Sequence, residues 1–150
     1  MKVRDLMTTS VATLSVHDDL GLADDIMKQG RIRHLPVVDG ARIVGIVSQR
    51  DLYRAGLSCL LEIDPANMRG WLQTLAVRDL MTDQVECIGP DESVRSAAEQ
   101  MLASKVGCLP VVEDGRLVGI LSETDCVAYL VRVLNVDEVR RALPELTSGN

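Results

Sequence analysis

Phenylalanine is absent from this chain, and Trp71, Tyr53 and Tyr129 are its only aromatic residues. The core must therefore be aliphatic, and the stacking platforms that single-stranded nucleic acid needs are missing. There are two histidines, His17 and His34, and neither lies in a ligand-spaced cluster. The four cysteines, Cys59, Cys87, Cys108 and Cys126, form no C-x-x-C pair. They read as the free or buried thiols of a reduced, cytoplasmic protein, with a zinc site as the lesser alternative. No G-x-x-x-x-G-K-[ST] loop, G-x-S-x-G elbow or H-E-x-x-H motif occurs. With so few histidines there is no evident acid–base pair, so no enzyme is expected, although carboxylates could serve in one. The net charge of −6 disfavours non-specific nucleic-acid binding, which depends on neutralising phosphates. It leaves room for a small local anion site. No basic helix-turn-helix is evident. The opening MKVRDLMTTS is not followed by the apolar run of a secretion signal. No stretch approaches the roughly 18 apolar residues of a membrane span.

Apolar residues make up 47% of the 150, and a chain of this length buries roughly 70% of its unfolded surface. The sequence then repeats itself. VRDLMT at 3–8 returns at 77–82, and LPVVDGARIVGIVSQRD at 35–51 returns as LPVVEDGRLVGILSETD at 109–125. Between 3–52 and 77–126, 19 of 50 positions are identical without a gap, far more than chance gives. Two copies are too few for a solenoid and suggest a pseudo-twofold pair. A half with about 55 structured residues is marginal alone, so each is expected to complete the other's core.

One repeat reads as β-α-β-β-α. A short strand is expected around Val11–Leu14. Asp18 and Asp19 suit a helix start, and Leu20, Ala23, Ile26 and Met27 recur at helical spacing, with Gly30 as the stop. Leu35–Val38 and Ile43–Val47 form a hairpin turning at Asp39-Gly40; the second strand is apolar on both faces and expected to be covered on both. A second helix runs from Ser48 to about Ile63. The other copy maps on as a strand near Val85–Ile88, a helix at about 92–104, a hairpin over 109–121 turning at Asp114-Gly115, and a helix from Ser122. The fold class is thus α/β (α+β), two tandem pseudo-twofold units. The expected organisation is repeat 1 at 1–63, a linker with a short helix at 64–76 containing Met68, Trp71, Leu72 and Leu75, repeat 2 at 77–134, and a C-terminal helix and tail at 135–150. The stretch CVAYLVRVL at 126–134 carries Arg132 as its only charge. It is more apolar than one sheet-facing side requires. It is either sandwiched within the monomer or meets another subunit.

Gly45-x-x-Ser48-x-x-Asp51 and Gly119-x-x-Ser122-x-x-Asp125 admit two readings. Each can be a capping box, with Ser and Asp satisfying the backbone where a helix starts and Gly allowing close approach. The same geometry favours a phosphate at the helix N-terminus, while the carboxylate accepts both hydroxyls of a ribose and an aliphatic wall takes the base. That combination specifies a nucleoside phosphate.

DLMT, an Asp-rich helix start, LPVVD and GIVSxxD, in that order and all duplicated, resemble the cystathionine-β-synthase (CBS) domain pair, or Bateman module, over about residues 1–134. The resemblance implies two pseudo-symmetric clefts between the repeats that bind adenosine nucleotides in some members, while other members act structurally. Carried over by position, the first cleft would use Asp51 for the ribose, Ser48, Arg50 and Arg33 near phosphate, and Ile46 against the base, with Thr82 and Val106 from the other repeat. The second would use Asp125, Ser122, Thr124 and Ile120, with Thr8 and Ile32 opposite. Arg33 corresponds to Gly107 and Arg50 to Thr124. The first cleft is therefore expected to hold two cations that the second lacks and to prefer the charged phosphate. Both arginines could equally be solvated surface. Arg31 and Lys105 read as surface charges, and His34, whose counterpart is Cys108, as a core or rim residue. The functional expectation is a stand-alone regulatory module, a homodimer that binds an AMP-, ADP- or ATP-like nucleotide and signals through an effector protein or its own oligomer. S-adenosylmethionine and NAD remain open as ligands. The alternative is an assembly module with no small ligand, in which the Ser-x-x-Asp pairs are caps only.

Overall fold

The structure, a computed structural model, describes residues 1–59 and 64–134. In chain order its regular elements are β1 (Leu14–Ser15), α1 (Leu20–Gly30), β2 (His34–Asp39), β3 (Arg42–Ser48), α2 (Gln49–Cys59), α3 (Met68–Leu72), α4 (Val94–Ser104), β4 (Cys108–Glu113), β5 (Arg116–Ser122) and α5 (Glu123–Val133). Two VRD stretches, Val3–Asp5 and Val77–Asp79, each form one 3-10 turn. The mixed α/β architecture with repeated hairpin–helix units is the one the sequence implies. The expected helix over 135–143 and the last turn of α2 at 60–63 fall outside the described residues.

The local chemistry explains most boundaries. Asp19 Oδ1 accepts from Leu22 N at 2.9 Å to start α1, and Ser93 Oγ accepts from Ser96 N at 2.9 Å to start α4. α1 ends at Gly30 as expected, and both helices are closed by a left-handed C-cap residue, Arg31 (φ 50°) and Lys105 (φ 56°). The hairpins β2–β3 and β4–β5 pair in matching registers, Pro36 opposite Ile46 and Pro110 opposite Ile120.

The first strand of each repeat departs from expectation. In repeat 1 it is displaced to Leu14–Ser15, parallel to Val37–Val38. In repeat 2 it shrinks to a single bridge, Ile88 to Val111. Ile88 N donates to Pro110 O at 3.0 Å and Val112 N donates to Ile88 O at 2.9 Å. The next donor in a parallel ladder would belong to Pro90, which has no N–H; Val16 stands at that place in repeat 1. The linker helix α3 is also shorter than expected. Leu75 lies beyond it, where its carbonyl accepts from Leu20 N at 3.0 Å and its side chain packs on the core.

The two cores do not coincide with the two sequence repeats. One gathers Leu14, Leu20, Ala23, Met27, Leu35, Val37, Val47, Leu52 and Leu72 together with Val77 from the second repeat. The other gathers Ile88, Ala97, Met101, Leu109, Val111 and Leu121 together with Val3 from the first. Each VRDLMT segment is thus exchanged. Val3 N donates to Glu92 O and Val77 N to Asp18 O, both at 2.8 Å. Met7 and Met81 then lie on Gly119 and Gly45, where a Cβ would collide with the thioether. The close approach that these glycines permit is therefore to a methionine of the other repeat.

Candidate functional site

The exchange builds the site. Thr8 pairs with Ile120 through two 2.9 Å hydrogen bonds, and Thr82 pairs with Ile46 in the same way. A threonine of one repeat is thereby fixed beside the strand that leads into the other repeat's Ser-x-x-Asp. At that junction Ser48 and Asp51 form a closed cap: Asp51 Oδ2 accepts from Ser48 N at 2.8 Å and from Ser48 Oγ at 2.6 Å, and Asp51 N donates to Ser48 Oγ at 3.2 Å. Ser122 and Asp125 repeat the arrangement at the same three distances. The capping duty falls on Oδ2 of each carboxylate. Both carboxylates are half-buried and both line open crevices.

The Asp51 crevice has a volume of about 230 Å³ and brings together Ile46, Ser48, Arg50, Asp51, Thr82 and Val106. The Asp125 crevice has about 390 Å³ and brings together Thr8, Ile32, Ile120, Ser122, Thr124 and Asp125. Twelve of the thirteen sequence-chosen residues therefore fall where expected.

Arg33 is shared: it lines the Asp125 crevice, where its guanidinium donates to Thr124 Oγ1 at 3.0 Å, and also the adjoining cavity that holds Ser48 and Arg50. The reason is continuity of the chain: residues 30–34, leaving α1, form one wall of that crevice, so Arg33 travels with Ile32. The equivalent stretch, Lys105 to Cys108, walls the Asp51 crevice and offers Gly107 at that place. The expected monopoly of cations in the first cleft is overturned. Arg50, Arg54 and Lys105 line the Asp51 side, and Arg31 and Arg33 line the Asp125 side.

Sequence reasoning missed several lining residues. Arg31 and Lys105 belong to the crevices although both are exposed, and their adjacency to the chosen Ile32 and Val106 was the available signal. Arg54, one turn beyond Arg50, and Ser10 are further additions. His34, Gly107 and Cys108 form a wall common to both crevices. Burial first, then the Arg33 charge, holds the His34 imidazolium below its ordinary 6.5, against the opposing pull of Glu123 and Asp51. Burial, with Glu123 and Asp125 adding to it, pushes the Cys108 thiol up to about 12, which leaves it protonated and unreactive. No group of three or more metal-ligating side chains occurs among the described residues.

A model of the CBS domain family matches the chain twice, over residues 3–58 and 77–132. The chain belongs to the CBS domain family. Solved CBS pairs share its fold. A complex of CBSX2 with AMP superposes at TM-score 0.72 with 27% identity, covering 89% of this chain and 98% of the other. The CBS domain pair of protein MJ0100, in complex with 5'-methylthioadenosine and S-adenosyl-L-methionine, superposes at TM-score 0.74 with 25% identity, covering 87% and 99%. Among curated proteins, inosine-5'-monophosphate dehydrogenase of Korarchaeum cryptofilum is 31% identical over 125 residues, 83% of this CBS pair but 23% of that enzyme. The CBS pair spans about a quarter to a half of the length of the first curated relatives it matches. No described helix of the pair is long and apolar enough to cross a membrane.

Proposed function

We infer that this CBS pair is a regulatory, non-catalytic module that binds an adenosine nucleotide, of the AMP, ADP or ATP type, in the crevices between its repeats. The observation that carries the reading is the composition of the crevices. Each combines a half-buried carboxylate and a serine at a helix N-terminus, a threonine from the opposite repeat, nearby cations and an aliphatic wall, Ile46 with Val106 or Ile120 with Ile32. A carboxylate suits a ribose diol, cations and first-turn N–H groups suit phosphate, and the aliphatic pair suits the faces of a purine. That relatives of the same fold hold AMP, or 5'-methylthioadenosine and S-adenosyl-L-methionine, supports the same ligand class here. Free thiols at Cys87, Cys108 and Cys126 accord with a reducing, cytoplasmic setting.

On this reading output passes through a second copy or an effector protein, and the ligand drives it only through its different affinities for two states. The surface that fits a second copy is the exposed apolar stripe Val127, Leu130 and Val131 of α5 with Leu134 at its C-cap.

A thermal-shift titration of ligand-free protein with AMP, ADP, ATP, NAD and S-adenosylmethionine tests the reading. At least one adenosine compound should raise the melting temperature, and Asp51→Ala with Asp125→Ala should abolish the shift. The assembly reading draws on the closed capping boxes, in which each Asp carboxylate bonds its own Ser. It expects no shift with any compound, and a stability loss of about 0.5–2 kcal/mol per Asp→Ala from the broken cap alone.

A further inference from the structure

The imidazole of His34 stands where the two repeats meet. It lines the Asp51 crevice, the Asp125 crevice and a third cavity of about 330 Å³ bordered by the starts of α2 and α5, at Gln49 and Glu123. Glycine at 107 makes the room. A Cβ there would lie 3.0 Å from His34 Cε1, 3.2 Å from His34 Nε2 and 3.5 Å from Glu123 Oε2. The ring of one repeat and the carboxylate of the other therefore border the same spot. Their pseudo-twofold mates are Cys108 and Gln49. The Cys108 thiol is held protonated by burial, with Glu123 and Asp125 adding to it, and an amide such as Gln49 does not titrate. Repeat symmetry thus leaves the imidazole–carboxylate pair unduplicated, although both crevices share its wall.

Charges reach the imidazole from both repeats. Arg33 beside it and Arg50 on α2 oppose its protonation, while Glu123 on α5 and Asp51 on α2 favour it. Tyr53, Arg54 and Asp125 on the helices, with Arg31 and Lys105 on the loops, line one or another of the same cavities. Burial is the largest influence and keeps the ring neutral. An anion placed in either crevice joins Glu123 and Asp51 in favouring the imidazolium.

Resting on the adenosine-nucleotide reading above, we propose that His34 is a proton site shared by both crevices, and that an anionic nucleotide in either one draws a proton from solvent onto its imidazole. The proton goes to the ring nitrogen that lacks one, and no bond to the ligand forms or breaks. By reciprocity the protonated ring holds the anion more tightly. Acidification strengthens nucleotide binding through this residue, and it does nothing of the kind for a neutral nucleoside.

The test is proton NMR of the full chain, in which His17 and His34 are the only imidazoles and His34→Gln assigns the two signals. Saturating AMP should move the His34 titration to higher pH, a gain in proton affinity of about threefold or more for a charge brought near the ring. Saturating adenosine should leave it in place. Asp51→Ala and Asp125→Ala each leave one crevice intact, so AMP should still move the titration in either single variant and not in the double variant. Calorimetry at about pH 7.5 and about pH 5.5 closes the cycle. The ratio of AMP affinities, unmutated protein over His34→Gln, should rise at the lower pH; titration of the AMP phosphate cancels because both proteins meet it. An unmoved His34 in protein that calorimetry shows to bind AMP, or equal movement with adenosine, would overturn the proposal while leaving nucleotide binding intact. Movement in one single variant and not the other would overturn the sharing. If the unmutated chain binds neither probe, the functional reading falls and the proposal falls with it.

Discussion

At the scale of single residues, His34 stands where repeat 2 has Cys108, and it faces charges from every element around it. Arg33 precedes it, Arg50 and Asp51 approach from α2, and Glu123 approaches from α5. Burial and Arg33 together hold its folded-state pKa below 6.5. The native state therefore binds fewer protons than the unfolded chain when pH falls below that value. Stability from neutral His34 is complete above 6.5 and is lost as pH falls through the lowered folded value. Urea midpoints should drop between about pH 7.5 and pH 5.5, and His34→Gln should flatten that drop. An equal drop in both proteins would assign the loss to other groups. Arg33, one residue away, teaches the complementary point. Its identity was plain in the sequence, but the crevice it serves depends on which way a loop crosses the pseudo-twofold.

Helices α2 and α5 show what an element leaves unfinished. The Ser-x-x-Asp caps were legible because capping is local: three residues and their own backbone satisfy each other. The fate of the apolar run 126–134 was not, because period alone does not say what covers a face. Among the described residues of α5 none is buried; Val127 is 58% exposed and Val131 69%. Among the described residues nothing sandwiches this helix within the monomer. Residues 127, 130 and 131 share one side of the helix, with Leu134 at its C-cap, and on the proposed reading this apolar patch is the dimer interface. Val131→Lys should convert a dimer to a monomer in size-exclusion chromatography with light scattering, with the melting temperature of the monomer little changed. A chain that is monomeric before mutation would remove the dimer.

On the scale of the whole molecule, the exchanged VRDLMT segments make the two cores interdependent. Val3 is fully buried among residues of repeat 2 and Val77 among residues of repeat 1. Neither sequence repeat therefore contains its own complete core. The pair should unfold in one calorimetric transition. Val3→Ala should cost about 2–3 kcal/mol by denaturant titration, and it should lower that single transition without splitting it. Two resolved transitions would mean that the halves are independent. The expectation that each half completes the other was correct in kind. The means, a segment swap locked by methionine against glycine, needed coordinates.

The sequence by itself determined the duplication, the hairpins at Asp39-Gly40 and Asp114-Gly115, and the two capping boxes, together with twelve residues that line the crevices. The duplication, the hairpins and the caps follow from local rules of spacing and turn chemistry, copied twice, while the twelve lining residues came by position from the CBS resemblance. The tertiary structure decided three things. Proline at 90 ends a ladder that Val16 does not interrupt. Arg33 reaches across to Thr124 of the other repeat. The face of α5 is left open. Each depends on what lies across a gap from a residue, and position along the chain carries no record of that until the two repeats are packed together.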